Sequence, residues 1–279
     1  MQIKRLRDLP LGIYEKAICL SLTWEEKLLL AKEAGYDFLE VTIDGEEPRI
    51  GRLYDKTSAI SLNRAAADTG VPVLSMTLSA NRKYPLGSED SATRQKGIEI
   101  VMRAVDFALA AGIRVIQLAP YCGGGEREGM PENYLLGSTE QCVAYAERYC
   151  VMLTFEAIDT PIMKSNRQVM DIVRMVDSPF FQVYADLGNL NAMGVDASED
   201  LPACRGRIAG VHIKDSRPME LRDVPLGEGT VDFDKGFRTL AAVGFGGIMA
   251  AEMWCHEDPG FHQYLRTANR FIRQAISKF

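Results

Sequence analysis

Four ionisable residues lie at or near the ends of short apolar runs in the second half of the sequence. They are Glu156, Asp186, His212 and Glu252, separated by 30, 26 and 40 residues. Each separation is about the length of one β-strand with its crossover helix. The spacing therefore predicts four successive parallel strands whose carboxyl ends bring these side chains to one edge of a sheet.

Three carboxylates and one imidazole suit a divalent metal ion such as Mn²⁺, Zn²⁺ or Co²⁺. Taken singly, an acid at a strand end is more often a helix cap or an ion-pair partner, and a histidine on an apolar strand is more often a core residue. The joint pattern favours a metal site, because the chain has only three histidines and His212 lies in register with the three acids.

The strands that position these residues belong to a repeated unit, in which a helix ends at a glycine and a continuous apolar run follows. The unit is clearest at four places, where the runs 38–43, 73–78, 115–119 and 247–252 follow Gly35, Gly70, Gly112 and Gly244. Runs that are apolar on both faces are typical of a parallel sheet covered by helices.

Amphipathic segments between the runs predict the helices. The first covers Trp24 to Ala34, with Thr23 as its N-cap and Glu26 completing a capping box. Further helices are predicted at Lys56–Asp68, Ala92–Ala111, Thr139–Tyr149, Ser165–Val176, Phe233–Val243 and Phe261–Ser277, with a short piece interrupted by Pro202 at Ala197–Arg207. A glycine-rich stretch at 123–129 predicts a flexible loop after the fourth strand.

With an opening strand at Leu11–Tyr14, about eight strands alternate with about eight helices along the 279 residues. This pattern predicts an α/β protein, a single (β/α)8 TIM barrel that forms one domain over residues 1–279, in preference to a doubly wound sheet. No GxGxxG follows the first strand, which weakens a nucleotide-binding alternative.

The composition excludes several classes of protein. Apolar residues make up 47% of the chain and charged residues 25%, as in a globular protein with a sizeable core. The net charge of −6, without a basic run, argues against nucleic-acid binding. No apolar run approaches the roughly 18 residues of a membrane span. Six scattered cysteines without a CxxC pair fit reduced thiols, so we expect a cytoplasmic protein.

Segments spread over nearly the whole chain resemble one known family. They are Pro10–Lys16, Leu78–Ala80 with Arg82, Pro85–Asp90, Gly112–Ala119, Asp186–Asn189, Val211–Asp215, Val224–Gly229 and Glu252–Trp254. On these residues the chain resembles the xylose-isomerase-like sugar isomerases and epimerases, and within them the L-ribulose-5-phosphate and L-xylulose-5-phosphate 3-epimerases of ascorbate and L-sugar catabolism. The resemblance implies 3-epimerisation of a small sugar phosphate, one Zn²⁺ or Mn²⁺ ion and a homodimer.

The resemblance also implies that Glu156, Asp186, His212 and Glu252 hold the metal, and that Glu156 and Glu252 are the catalytic acid–base pair. Inverting a carbon beside a ketone needs one base on each of its faces. A metal chelated by the carbonyl and the neighbouring hydroxyl would stabilise the cis-enediolate between the two proton transfers. Each positioned proton transfer contributes roughly 10²–10⁴-fold to the rate.

The resemblance to this family also implies that the substrate phosphate is held by the loop after strand one and by a segment after strand three. The implied phosphate-binding residues are Lys16, Arg82, Gly87 and Ser88, and the implied substrate contacts are Tyr14, Asn189 and Lys214. Lys16 supplies a charge, Arg82 a planar fork, and the helix start after Gly87 supplies N–H groups that favour an anion. From the residues alone, Arg82 could equally be a solvated loop charge and Ser88 a helix cap.

The chain departs from the family pattern in segments that are expected to face the substrate. Asn81 stands where the family usually carries a histidine, the strand-four loop 121–126 is rewritten, and Met193–Gly194 stands in place of a bulky aromatic. Three alternatives stay open: an aldose–ketose isomerase, a 3-epimerase of a related or unphosphorylated ketose, and a sugar-binding protein without catalysis. The related barrel endonucleases need a histidine-rich zinc cluster and a basic face. They are excluded, because this chain has three histidines and a net charge of −6.

Overall fold

The computed structural model describes residues 5–123 and 132–279, and eight parallel strands form a closed barrel in chain order. The strands are β1 (Leu11–Tyr14), β2 (Phe38–Ile43), β3 (Val73–Leu78), β4 (Val115–Leu118), β5 (Met152–Glu156), β6 (Phe181–Asp186), β7 (Ile208–Ile213) and β8 (Ile248–Ala251). The barrel closes where β1 pairs in parallel with β8, with Gly12 opposite Ala250. The predicted TIM barrel is confirmed.

Helices connect the strands on the outside of the barrel. They are α1 (Trp24–Glu33), α2 (Lys56–Thr69), α3 (Ser91–Ala111), α4 (Glu132–Glu147), α5 (Asn166–Val176), α6 (Leu187–Ala192), α7 (Ala197–Asp200), α8 (Phe233–Ala242) and α9 (His262–Ile276). Among the helices of these two ranges, none is both long and apolar enough to cross a membrane. Most of the predicted glycine-rich loop, residues 124–129, lies outside the described residues, so that prediction and the domain extent of 1–279 stay predictions.

Local sequence signals place the helix ends that feed the strands. The predicted capping box is present: the Glu26 N–H donates to Thr23 Oγ1, and the Thr23 N–H donates to Glu26 Oε2 at 2.8 Å. At the other end of α2 and α3, Gly70 and Gly112 take left-handed backbone conformations with φ of 71° and 81°. Glycine tolerates this conformation without steric cost, so both helices end there and the chain turns into β3 and β4.

One helix begins earlier than the sequence predicted. The sequence predicts a helix over Thr139–Tyr149, but α4 covers Glu132–Glu147 and so contains Gly137 in its interior. Leu135 is buried one turn before Thr139, and Thr139 Oγ1 donates a hydrogen bond to the Leu135 carbonyl at 2.6 Å. Burial of this turn outweighs the cost of an interior glycine, about 1 kcal/mol.

Inside the barrel, the large Tyr184 ring is accommodated by a glycine on the neighbouring strand. Tyr184 on β6 pairs with Gly210 on β7, and a Cβ at Gly210 would lie 2.3 Å from the Tyr184 ring. Because Gly210 leaves this space, the Tyr184 ring lies over the barrel interior with its centroid 4.6 Å from that of the His212 ring. The same register sets Asp186 opposite His212. The packing of the interior thereby orients the strand ends that carry the predicted site.

Candidate active site

The carboxyl end of the barrel brings the four predicted metal ligands together. Each contributes one oxygen or nitrogen, and these atoms all lie within 4.8 Å of one another. Glu156 and Asp186 end β5 and β6, His212 is the penultimate residue of β7, and Glu252 directly follows β8. All four are buried. We refer to Glu156, Asp186, His212 and Glu252 as the tetrad.

The His212 ring lies at the centre of the tetrad. Its Nδ1 is 2.7 Å from Glu156 Oε1 and 3.9 Å from both Asp186 Oδ2 and Glu252 Oε2. Its other nitrogen, Nε2, is 2.6 Å from Glu40 Oε1 on β2. One ring nitrogen therefore faces the three carboxylates of the tetrad, and the other faces a fourth carboxylate deeper in the barrel.

Lys214 adds a buried positive charge to the tetrad. Its Nζ lies 2.7 Å from Asp186 Oδ2 and 2.6 Å from Glu252 Oε2. On the other side of the tetrad, the Gln117 amide donates to Glu156 Oε2 at 3.0 Å. Glu252 is thus paired with a cation, whereas Glu156 is paired with a neutral amide and the His212 ring.

These surroundings separate the two glutamates in acidity. Burial, only partly offset by His212, raises the pKa of Glu156 to about 8. Burial also raises the pKa of Glu252, but the charges of Lys214 and His212 outweigh it and bring that pKa to about 2. A divalent cation in the tetrad would favour the ionised form of Glu156 as well.

A cavity of about 480 Å³ opens above the tetrad. Glu156 and Glu252 line it, as do all three predicted substrate contacts: Tyr14, Asn189 and Lys214. The Asn189 backbone N–H donates to Asp186 Oδ1 at 2.9 Å, because α6 begins directly after β6 and Asp186 caps it. The helix start that positions a tetrad carboxylate therefore also brings Asn189 to the cavity wall.

Two of the four predicted phosphate-binding residues line the same cavity. Lys16 lies on the turn after β1, with its Nζ 2.7 Å from Asp44 Oδ2. Arg82 lies after β3, stacked 4.8 Å over the Tyr121 ring and 3.5 Å from Asp159 Oδ1. Both side chains are partly exposed, and each is close to an acid.

Gly87 and Ser88 are placed differently from Lys16 and Arg82. Neither belongs to the described residues that line the cavity. The Gly87 N–H donates to the Tyr121 carbonyl at 3.2 Å, and the Ser88 N–H donates to the Pro85 carbonyl at 3.2 Å. The start of α3 is capped by Asp90, whose carboxylate accepts from the Thr93 N–H at 2.7 Å. The backbone N–H groups of Gly87 and Ser88 are thus already paired within the protein, and the phosphate role of both residues stays a prediction.

Sequence reasoning missed Glu40, which lies at the centre of the hydrogen bonds below the tetrad. It is fully buried, and its carboxylate contacts His212, Ser75, Thr77 and Tyr184. The available signal was a single glutamate inside the otherwise apolar run at 38–43. A charged residue in such a position is stable only with partners, so it indicates a buried polar network.

The tetrad fits a divalent metal ion by its own chemistry. Three carboxylates and one imidazole nitrogen, all buried and within 4.8 Å of one another, are a donor set that Zn²⁺ or Mn²⁺ accepts. Within the described residues, Asp186 Oδ2 is buried and accepts no well-aligned hydrogen bond, and the Lys214 ammonium 2.7 Å away is its ion-pair partner. Glu156, Asp186, His212 and Glu252 are thus the residues that could hold the ion.

Comparisons with known proteins agree with this geometry. A sequence profile of the xylose isomerase-like TIM barrel family matches residues 28–275. The chain is 41% identical over 257 residues to the L-ribulose-5-phosphate 3-epimerase UlaE of Shigella boydii serotype 18. That alignment covers 91% of this chain and 90% of the relative. An alignment of this extent and identity places the two proteins in one family.

Solved structures share the fold at lower identity. D-allulose 3-epimerase from Methylomonas sp. has a TM-score of 0.79 at 19% identity, covering 99% of this chain and all 100% of that one. The IOLI protein, solved with a bound zinc atom, has a TM-score of 0.77 at 18% identity, covering 97% and 99%. The chain therefore belongs to the xylose isomerase-like TIM barrel family, within it to the L-ribulose-5-phosphate 3-epimerase group, and is an enzyme of the isomerase class.

Proposed function

We propose that the protein is a metal-dependent 3-epimerase of a ketose phosphate, of the type that interconverts L-ribulose 5-phosphate and L-xylulose 5-phosphate. The observation that carries this proposal is the position of two glutamates at the ends of β5 and β8, within one tetrad and lining one cavity. The name of the relative from Shigella boydii supports the sugar and the carbon that is inverted.

In the proposed reaction, Glu156 and Glu252 act on the two faces of C3. One carboxylate removes the C3 proton of the bound ketose, and the other carboxyl group returns a proton to the opposite face. Between the two transfers, the substrate is an enediolate with negative charge on its oxygens. A divalent ion held by the tetrad would supply Lewis-acid stabilisation of that charge, worth several kcal/mol.

The other cavity residues would orient the sugar and the catalytic pair. The Lys214 ammonium, 2.6 Å from Glu252 Oε2, keeps this carboxylate ionised and directed to the cavity. Asn189 and Tyr14 would contact substrate hydroxyls from the walls. A volume of about 480 Å³ is in the range of small-ligand sites. Glu156 and Glu252 are buried at the base of the cavity, and burial strengthens each of their electrostatic contacts.

The phosphate is proposed to bind at the mouth of the cavity, where Lys16 and Arg82 bring two positive charges from the loops after β1 and β3. Arg82 offers a planar fork that matches phosphate oxygens. Gly87 and Ser88 stay predictions from the sequence, without support from the cavity geometry. The homodimer, the cytoplasmic location and the place in ascorbate degradation are likewise predictions.

One observation favours a second candidate, a 3-epimerase of an unphosphorylated ketose. Lys16 and Arg82 are each close to an acid, Asp44 and Asp159 respectively, which reduces the charge available to an anion. The chemistry at C3 would be the same in both cases, and only the group at the mouth of the cavity would differ.

Proton exchange in D₂O, followed by NMR, tests the proposed function. The metal-loaded protein is incubated separately with L-ribulose 5-phosphate and with unphosphorylated L-ribulose. We expect deuterium at C3 and interconversion of the 5-phosphates, both stopped by EDTA. Exchange of the free sugar alone would favour the second candidate, deuterium at C1 would indicate an aldose–ketose isomerase, and no exchange in either sugar would favour the non-catalytic alternative.

A further inference from the structure

Glu40 occupies an unusual position for a carboxylate. It is the third residue of β2, fully buried, and its side chain lies inside the barrel below the tetrad. Charged groups are almost never buried to this extent unless they are paired and hydrogen-bonded. An apolar residue could fill the same space without burying a charge. The role of Glu40 must therefore lie in the hydrogen bonds that its carboxylate makes.

Every lone-pair direction of the Glu40 carboxylate has a donor. Oε1 accepts from His212 Nε2 at 2.6 Å and from Thr77 Oγ1 at 3.2 Å. Oε2 accepts from Ser75 Oγ at 2.5 Å and from the Tyr184 hydroxyl at 2.7 Å. These contacts come from β3, β6 and β7 and fix the carboxylate in one orientation.

The contact with Glu40 decides which nitrogen of the His212 ring keeps its proton when a metal ion binds. An ionised carboxylate only accepts hydrogen bonds, so Nε2 must be the nitrogen that donates. Nδ1 is then the nitrogen that can give up its proton to a metal ion, and it faces Glu156 at 2.7 Å and the two other tetrad carboxylates at 3.9 Å. The ring is also held from the side by Tyr184, at a centroid distance of 4.6 Å.

We propose that Glu40 is a positioning residue that fixes the tautomer and the orientation of His212, so that Nδ1 is the nitrogen presented to the divalent ion. This inference rests on the metal site of the proposed function and adds to it a residue outside the tetrad. A carboxylate behind a ligating histidine raises the basicity of the ligand, and its loss typically weakens metal affinity about 10–100-fold.

The test is the affinity of purified variants for Zn²⁺ and for Mn²⁺, measured by competition with a chromophoric chelator. Glu40→Gln keeps the size of the side chain and removes its charge, and we expect its affinity to fall about 10–100-fold. The matched control is Tyr184→Phe, which removes one hydrogen bond to Glu40 and keeps the ring beside His212. We expect its affinity to stay within about threefold of that of the wild type, because the His212 contact is untouched.

A second readout does not depend on the folding of a variant. The chain has three histidines, of which only His212 is fully buried, so a ¹⁵N-histidine spectrum of the wild type is simple to assign. In the zinc-loaded protein we expect the proton on Nε2 and the larger metal-induced shift at Nδ1. A zinc-loaded protein with the proton on Nδ1 and the larger metal-induced shift at Nε2 would overturn the inference.

The outcomes separate this inference from the proposed function. Equal affinities of wild type and Glu40→Gln would overturn the role of Glu40 and leave a metal-dependent epimerase standing. A loss of affinity in Tyr184→Phe as large as in Glu40→Gln would show that general packing, and not the carboxylate, controls the site. A wild type that binds neither ion would overturn the metal site itself and the inference with it.

Discussion

Replacing Arg52 by methionine is predicted to lower the free energy of unfolding by about 3 kcal/mol. Both oxygens of Glu15, a fully buried residue on the turn after β1, accept from the Arg52 guanidinium at 2.8 Å. Breaking a buried ion pair by removing one partner costs roughly 3–5 kcal/mol. We expect the lower end of this range, because Lys27 Nζ remains 2.7 Å from Glu15 Oε1.

The acidity of Glu15 gives the joint stabilisation by Arg52 and Lys27, of which the loss of Arg52 removes a part. Burial raises the pKa of Glu15, but the charges and hydrogen bonds of Arg52 and Lys27 outweigh it and bring the pKa to about 2. Against an unfolded value of about 4.3, the difference corresponds to about 3 kcal/mol. Because the folded pKa is depressed, this stabilisation is fully present above about pH 4.3 and is lost as the pH falls towards 2.

Urea unfolding followed by tryptophan fluorescence measures the effect, since Arg52 lies 4.4 Å over the Trp24 ring. The control variant is Arg174→Met, which breaks an exposed ion pair with Asp171 and should cost less than about 1 kcal/mol. The gap between wild type and Arg52→Met should narrow as the pH falls from about 5 to about 2. Equal losses in the two variants, or a gap that does not depend on pH, would refute the reasoning.

Three further predictions concern the metal, the phosphate and the barrel interior. Removal of the metal with EDTA should abolish epimerisation and added Zn²⁺ or Mn²⁺ should restore it in an NMR assay; activity of the fully metal-free protein would contradict this. Lys16→Ala should raise KM for a ketose 5-phosphate roughly 10–100-fold through loss of a charged hydrogen bond of about 1.5–3 kcal/mol, with KM for the free ketose as the internal control; an equal rise for both sugars would argue against a phosphate contact. Gly210→Ala would set a Cβ 2.3 Å from the Tyr184 ring, so calorimetry should show a loss of about 1–3 kcal/mol from overpacking, and an unchanged melting temperature would show that the ring moves freely.

The barrel and the tetrad could be predicted from the sequence, because both depend on spacing along the chain. Separations of one βα unit between Glu156, Asp186, His212 and Glu252 predict adjacent parallel strands, and adjacent parallel strands end at the same edge. The register confirms this, with Asp186 directly opposite His212. A pattern of this kind survives errors of a residue or two in each strand boundary.

Contacts between distant parts of the chain could not be predicted from the sequence. Glu40 meets Tyr184 and His212 across 144 and 172 residues, and no local pattern links them. The N–H groups of Gly87 and Ser88 could be expected to face an anion from the loop sequence alone. In the structure, the Tyr121 and Pro85 carbonyls accept from them, and only tertiary packing sets the Tyr121 contact.

The central claim, that two glutamates act on opposite faces of C3, is tested most directly by C3 proton exchange in single variants. Metal-loaded Glu156→Gln and Glu252→Gln are each incubated in D₂O with either epimer of the ketose 5-phosphate, and C3 is followed by NMR. Each variant should exchange the C3 proton of one epimer only, the two variants should prefer opposite epimers, and neither should interconvert them. Interconversion by either variant, or exchange of both epimers by one variant, would contradict the two-base account.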